Sequence, residues 1–71
     1  MGKKSNNPWG EVLEQLGGSR YRVAMDDGTE IIAYLSGKMR HRNINVYIGD
    51  KVEVALDPAG GHATNRIVWR K

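Results

Sequence analysis

Apolar and polar positions along this chain alternate in short runs, and each run ends at a cluster of turn-forming residues. The clearest run, Arg20 to Met25, sets Tyr21, Val23 and Met25 on one side and Arg20, Arg22 and Ala24 on the other, the period of two that marks a half-buried strand. Ahead of it, Trp9 to Leu16 predicts a strand that stops at Gly17-Gly18-Ser19. After it, Asp26-Asp27-Gly28-Thr29 predicts a hairpin turn, because Asp-Gly tolerates the positive φ that tight turns demand. Glu30 to Leu35 turns Ile31, Ala33 and Leu35 inward and leaves Ile32 and Tyr34 outward, on the face shared with Arg20 and Arg22. Ser36-Gly37 breaks this strand, Lys38 to Asn43 predicts a turn or two of helix, and Ile44, Val46 and Ile48 return to an extended pattern. Gly49-Asp50 turns the chain into Lys51 to Leu56, Asp57 to Asn65 reads as a loop around Pro58, Gly60 and Gly61, and Arg66 to Lys71 forms a last strand.

The fold class these elements predict is all-β: a five-stranded OB-type barrel with a short helical insert between strands three and four. Closure removes the unpaired edges that so small a sheet would otherwise present. Residues 1–8, polar and carrying Lys3, Lys4 and Pro8, read as a loose basic arm, and residues 9–71 as a single domain. The predicted core is Val12, Tyr21, Val23, Met25, Ile31, Ala33, Leu35, Val52, Val54, Leu56 and Ile67. Trp9 and Trp69 are assigned to the core or its rim, since a chain without Phe needs large side chains inside.

Composition fits one small core: 71 residues, 39% of them hydrophobic. The absence of Cys removes disulfides and thiolate chemistry and points to an intracellular, cytoplasmic home, and the two His, His41 and His62, cannot build a metal site alone. No apolar run approaches the length of a membrane span, and no apolar segment follows the basic N-terminus. The net charge is only +3, with a pI near 9.5, so placement matters more than the total.

Between Ser36 and Tyr47 stand Lys38, Arg40 and Arg42 with His41 and no acid, and from Pro58 onward stand Arg66, Arg70 and Lys71, again with no acid. These segments predict a positive side, extended onto the sheet by Arg20 and Arg22. Met39 inside the basic run, Tyr47 after it and Tyr34 before it add the flat apolar surface that holds unstacked bases beside phosphate-binding cations. Gly37, at the head of that run, is expected to supply a backbone conformation that a Cβ would hinder. Ser36 beside Lys38 has no second Ser or carboxylate pair to serve as a nucleophile's machinery and reads as loop, as do Gly60-Gly61-His62. No catalysis and no cofactor are expected.

Gly10-Glu11-Val12-Leu13-Glu14, Tyr21-Arg22-Val23, Asp27-Gly28, Ile32-Ala33-Tyr34-Leu35-Ser36-Gly37-Lys38-Met39-Arg40, Gly49-Asp50-Lys51-Val52-Glu53-Val54 and Arg66-Ile67-Val68-Trp69-Arg70 together resemble the bacterial translation initiation factor one family, an S1-like OB-fold. The specific part is Ser-Gly-Lys-Met-Arg joined to Gly-Asp-Lys-Val nine residues beyond it. The resemblance implies a monomeric factor that binds the small ribosomal subunit at its aminoacyl-tRNA site. It would contact the decoding region of the rRNA and ribosomal protein S12 and cooperate with initiation factors two and three. Carried over by position, the rRNA contacts would come from Lys38, Met39 and Arg40, with Arg42, Arg66, Arg70, Arg22 and Tyr34 around them. The chain departs from the family where Asn43 and Asn45 replace a usual Tyr and Arg, and where Pro58-Ala59-Gly60 replaces Pro-Tyr-Asp. A competing expectation is a general single-stranded RNA binder of the cold-shock kind, which would stack bases on sheet aromatics and fits poorly with a chain lacking Phe. Another is an SH3-like interaction module, whose groove would be aromatic rather than basic.

Overall fold

A computed structural model describes residues 7–57 and 65–71. Its elements are β1 (Trp9–Gly17), β2 (Arg20–Met25), β3 (Glu30–Leu35), α1 (Gly37–His41), β4 (Lys51–Ala55) and β5 (Arg66–Arg70). The strands close into a barrel in the order β1-β2-β3-β5-β4, with α1 between the third and fourth strands as the pattern predicted. Closure is completed by β5, which pairs antiparallel with β4 and parallel with β3 at Tyr34↔Arg66 and Leu35↔Ile67.

Every strand must serve two neighbours for a five-strand sheet to close, and β1 does so by bending. It pairs with β2 along its length, through register irregularities between Val12 and Glu14 and between Gln15 and Gly17, and its first residues also pair with β4. Gly10 sits where the two pairings meet, opposite Met25 and Val52. A Cβ there would lie 2.7 Å from Val23 Cγ1 and 2.8 Å from the Ala24 carbonyl oxygen, so the tight bend requires glycine. The hairpin turn forms as expected, with Gly28 at φ 94° and the Met25 N–H donating to the Thr29 carbonyl at 2.7 Å.

Val12, Tyr21, Val23, Met25, Ala33, Val52, Val54 and Ile67 fill the barrel, and Ile31 and Leu35 pack against them half-buried. Two further side chains join this core from outside the strands, Met39 and Val46. Leu56 does not: β4 ends at Ala55, the alternation stops with it, and Leu56 is exposed. The expected extended segment after the helix is irregular, with Val46 buried and Ile48 exposed, and it closes in a turn where the Tyr47 N–H donates to Asp50 Oδ2 at 2.9 Å.

Pairing also begins earlier than Trp9. The Val54 N–H donates to the Pro8 carbonyl at 2.9 Å and Asn7 Nδ2 donates to Glu53 at 3.1 Å, so the last two residues assigned to the arm are tied to β4. Residues 1–6 of that arm and 58–64 of the expected loop lie outside the described residues. At the described ends of the loop, Asn65 is buried, its Oδ1 accepting from the Asp57 N–H at 2.7 Å and its Nδ2 donating to the Ile32 carbonyl at 3.3 Å. Among the described residues no helix is long and apolar enough to cross a membrane.

Candidate nucleic-acid interface

The basic run is held by a helix of five residues, far too short to be stable alone, so its order comes from its ends and from one buried side chain. At the start, Ser36 is the N-cap: its extended backbone leads into the helix and its hydroxyl accepts from the Met39 N–H at 3.2 Å. At the finish, the Asn43 N–H donates to the Arg40 carbonyl and the Ile44 N–H to the Met39 carbonyl, with Asn43 at φ 56°. This paired closure is the Schellman arrangement, and Asn is one of the few residues with a side chain that take its left-handed position readily. Asn43, a departure from the resembling family, is therefore the residue that ends the helix.

Between these ends Met39 is fully buried, sealing one end of the barrel. The expectation that Met39 offers apolar surface among the cations is corrected: its side chain belongs to the core, because the one inward position of so short a helix falls on it. Lys38, Arg40 and Arg42, on either side of it, are thereby turned outward and exposed. Among the described residues no carboxylate lies within ion-pair distance of any of the three. Gly37 is corrected as well. It has no positive φ and a Cβ on it would meet open space, so the conformational demand lies at Gly10 and the turns instead.

A second element of the site comes from the sheet register. Arg20 pairs with Tyr34 across β2 and β3, and Tyr34 pairs with Arg66 across β3 and β5. All three are exposed, so Tyr34 stands in register between two arginines, of which Arg20 donates its Nε–H to the Gly17 carbonyl at 3.3 Å. The chain continues directly from Tyr34 into the Ser36 cap, and α1 packs on β5, which places this row beside the helical cations. Tyr34 was visible as an outward aromatic, but its neighbour Arg66 comes from a strand more than thirty residues away and shows only once the parallel register is known.

The other expected cations are differently placed. Arg22 Nε lies 3.2 Å from Glu14 and its Nη1 3.7 Å from Glu30, so at the middle of the β1-β2-β3 face one cation is shared by two carboxylates rather than forming the basic extension predicted. The two acids reach Arg22 from neighbouring strands, one of them across a bulge that sequence spacing does not reveal. Arg70 Nη1 approaches Asp50 at 3.9 Å, a long and partly exposed contact that leaves its charge mostly available. Trp9 is half-buried and Trp69 is exposed at the rim, with Lys38 Nζ 5.7 Å from the Trp69 ring centroid. Tyr47 is exposed in the turn that follows Val46. No group of three or more metal-ligating side chains converges among the described residues.

The surface thus combines unpaired cations on a fixed helix with an aromatic flanked by arginines, a combination that neutralises phosphates and supports unstacked bases. Comparison with known proteins gives a concordant result. The sequence model of the family described as Translation initiation factor 1A / IF-1 matches residues 2–71. Among solved structures, the chain is similar to that of YjeQ from Thermotoga maritima, with a TM-score of 0.72 and 27% identity over 92% of this chain. The chain spans about a fifth of that protein's length, 22%.

Proposed function

We propose, from the premise that this chain belongs to the translation initiation factor 1A / IF-1 family, that it occupies the aminoacyl-tRNA site of the small ribosomal subunit during initiation. The family is one of translation initiation factors built on an RNA-binding OB-fold, and membership implies association with the small subunit. The finer reading concerns which surface makes the contact. Lys38, Arg40 and Arg42 bind phosphates of the decoding-region rRNA, and the Arg20, Tyr34 and Arg66 row lies against the same RNA. Arg70 contributes at the edge, while Arg22 serves chiefly to bridge Glu14 and Glu30. Ribosomal protein S12 and initiation factors two and three are the protein partners of this reading.

The observation that carries it is the burial of Met39 between exposed Lys38 and Arg40, which fixes two unpaired cations on a rigid base instead of a waving loop. Such preorganisation reduces the ordering cost of binding. A barrel that blocks a tRNA site needs no catalytic group, only shape and phosphate-neutralising charge. The test is cosedimentation of the full chain with isolated small subunits, followed by competition with aminoacyl-tRNA and a footprint of the rRNA. Saturable binding that protects the decoding region and excludes aminoacyl-tRNA is expected. Binding to free oligonucleotides with equal affinity, and no protection of that region, would replace this reading with a general single-strand RNA binder.

A further inference from the structure

Trp69 is the large aromatic that the fold leaves over. The bulge between Glu53 and Val54 lets Ile67 point into the core and carries the indole onto the outer face of β5, where 43% of the residue is exposed. The ring lines two of the larger open hollows. One, of about 480 Å³, is lined by Trp9, Asp26, Lys51, Trp69 and Lys71, and the other, of about 540 Å³, by Ser36, Lys38, Glu53, Val68 and Trp69. Both fall within the size range, roughly 300–1,000 Å³, of clefts that admit a small ligand or a single residue of a polymer. Glu53 lies in register between Trp9 and Trp69, so the two indoles stand one strand apart on the same face.

Charge around the ring is not symmetrical. Asp26 is engaged by Lys51 at 3.2 Å and Glu53 accepts from Asn7 at 3.1 Å, so both carboxylates in the hollows are occupied. Lys38, whose ammonium lies 5.7 Å from the ring centroid, and Lys71 have no carboxylate within ion-pair distance among the described residues. A flat ring with one cation over it and a second lining the adjoining hollow matches a base with its flanking phosphates. An apolar peptide would need a broader continuous apolar patch than one indole set among charged groups.

We infer that Trp69 is a stacking platform for one unstacked base of single-stranded RNA, with Lys38 and Lys71 holding the phosphates on either side. The inference rests on the RNA-binding reading above and extends it from α1 onto the outer face of β5. Lys38 then belongs to both surfaces and joins them.

The test is intrinsic fluorescence of the full chain carrying Trp9→Phe, in which Trp69 is the sole indole. The protein is titrated with an adenosine octaribonucleotide, with inorganic polyphosphate as a charge-only probe and with an acidic peptide. Quenching by the octaribonucleotide but not by polyphosphate is expected. In a separate binding assay Trp69→Leu should weaken octaribonucleotide affinity about 5- to 150-fold, the range for loss of one base–aromatic stack, with Trp69→Phe falling between it and the parent. Equal affinity of Trp69→Leu and parent, or equal quenching by polyphosphate, overturns the inference. Stronger quenching by the acidic peptide than by RNA overturns it in favour of a protein partner. Cosedimentation with small subunits, measured on the same samples, separates the two readings: intact subunit binding without Trp69 quenching removes the platform alone.

Discussion

The hydroxyl of Ser36 accepts a hydrogen bond from the N–H of Met39 at 3.2 Å, and the two residues are both buried. One bond therefore links the end of β3 to the side chain that seals the barrel, and the cations on either side of Met39 take their direction from it. Ser36→Ala leaves a buried helix-end N–H without its partner and should lower unfolding free energy by about 1 kcal/mol, measured by urea denaturation. The same variant should bind small subunits more weakly than its stability loss explains.

Two glycines should respond in opposite ways. Gly10→Ala places a methyl within 3 Å of Val23, the Ala24 carbonyl and Met25, and should cost roughly 1–3 kcal/mol as the closing bend is forced apart. Gly37→Ala meets open space at an ordinary φ in the first turn of α1, and should be neutral or raise stability by up to about 1 kcal/mol. Thermal melting of the two variants side by side checks both.

The barrel itself was legible because β2 alternates cleanly and the turn after it carries the required φ: Tyr21 and Val23 are buried where the period of two puts them, and so is Ala33 in β3, although Ile31 and Ile32 there are both half-buried. Met39 was not legible as core, since five helical residues give too little periodicity to set against a basic neighbourhood. Leu56 failed for the converse reason, an alternation extended one residue past the last rung of β4. The site divided along the same line. Local features such as the Lys38, Arg40 and Arg42 run could be read directly, whereas the salt bridges of Arg22 and the Arg20, Tyr34 and Arg66 row depend on cross-strand register, which bulges and a parallel pair determine.

Removing an unpaired cation should alter salt dependence. Lys38→Ala and Arg40→Ala should each weaken small-subunit binding and reduce the magnitude of the log–log salt slope by about one, as expected for one lost phosphate contact. Arg22→Ala, whose charge is already shared between Glu14 and Glu30, should change that slope less. Filter binding over a series of potassium concentrations distinguishes the three.

The hairpin turn predicts a pH effect. The Thr29 hydroxyl donates to Asp27 Oδ1 at 2.6 Å and the Thr29 N–H donates to the same oxygen at 3.0 Å, and these bonds hold the Asp27 carboxyl below its ordinary value, the hydroxyl most strongly. A carboxyl whose pKa is lower folded than unfolded stabilises the fold at pH above the ordinary value, 3.8, and loses that contribution as pH falls through the lowered one. Asp27→Asn should therefore narrow the stability difference between pH 7 and pH 3, followed by thermal melting across that range.

Closure by β5 also bears on how the protein is made. This strand supplies the partner for β3 and for β4, yet it is the last of the five to be synthesised. Until Arg66 to Arg70 emerge from the exit tunnel, β3 and β4 keep open edges, and the barrel cannot close. Folding of the nascent barrel is thus postponed until β5 has emerged, and the interval before it is when the chain is most exposed to aggregation and to chaperones.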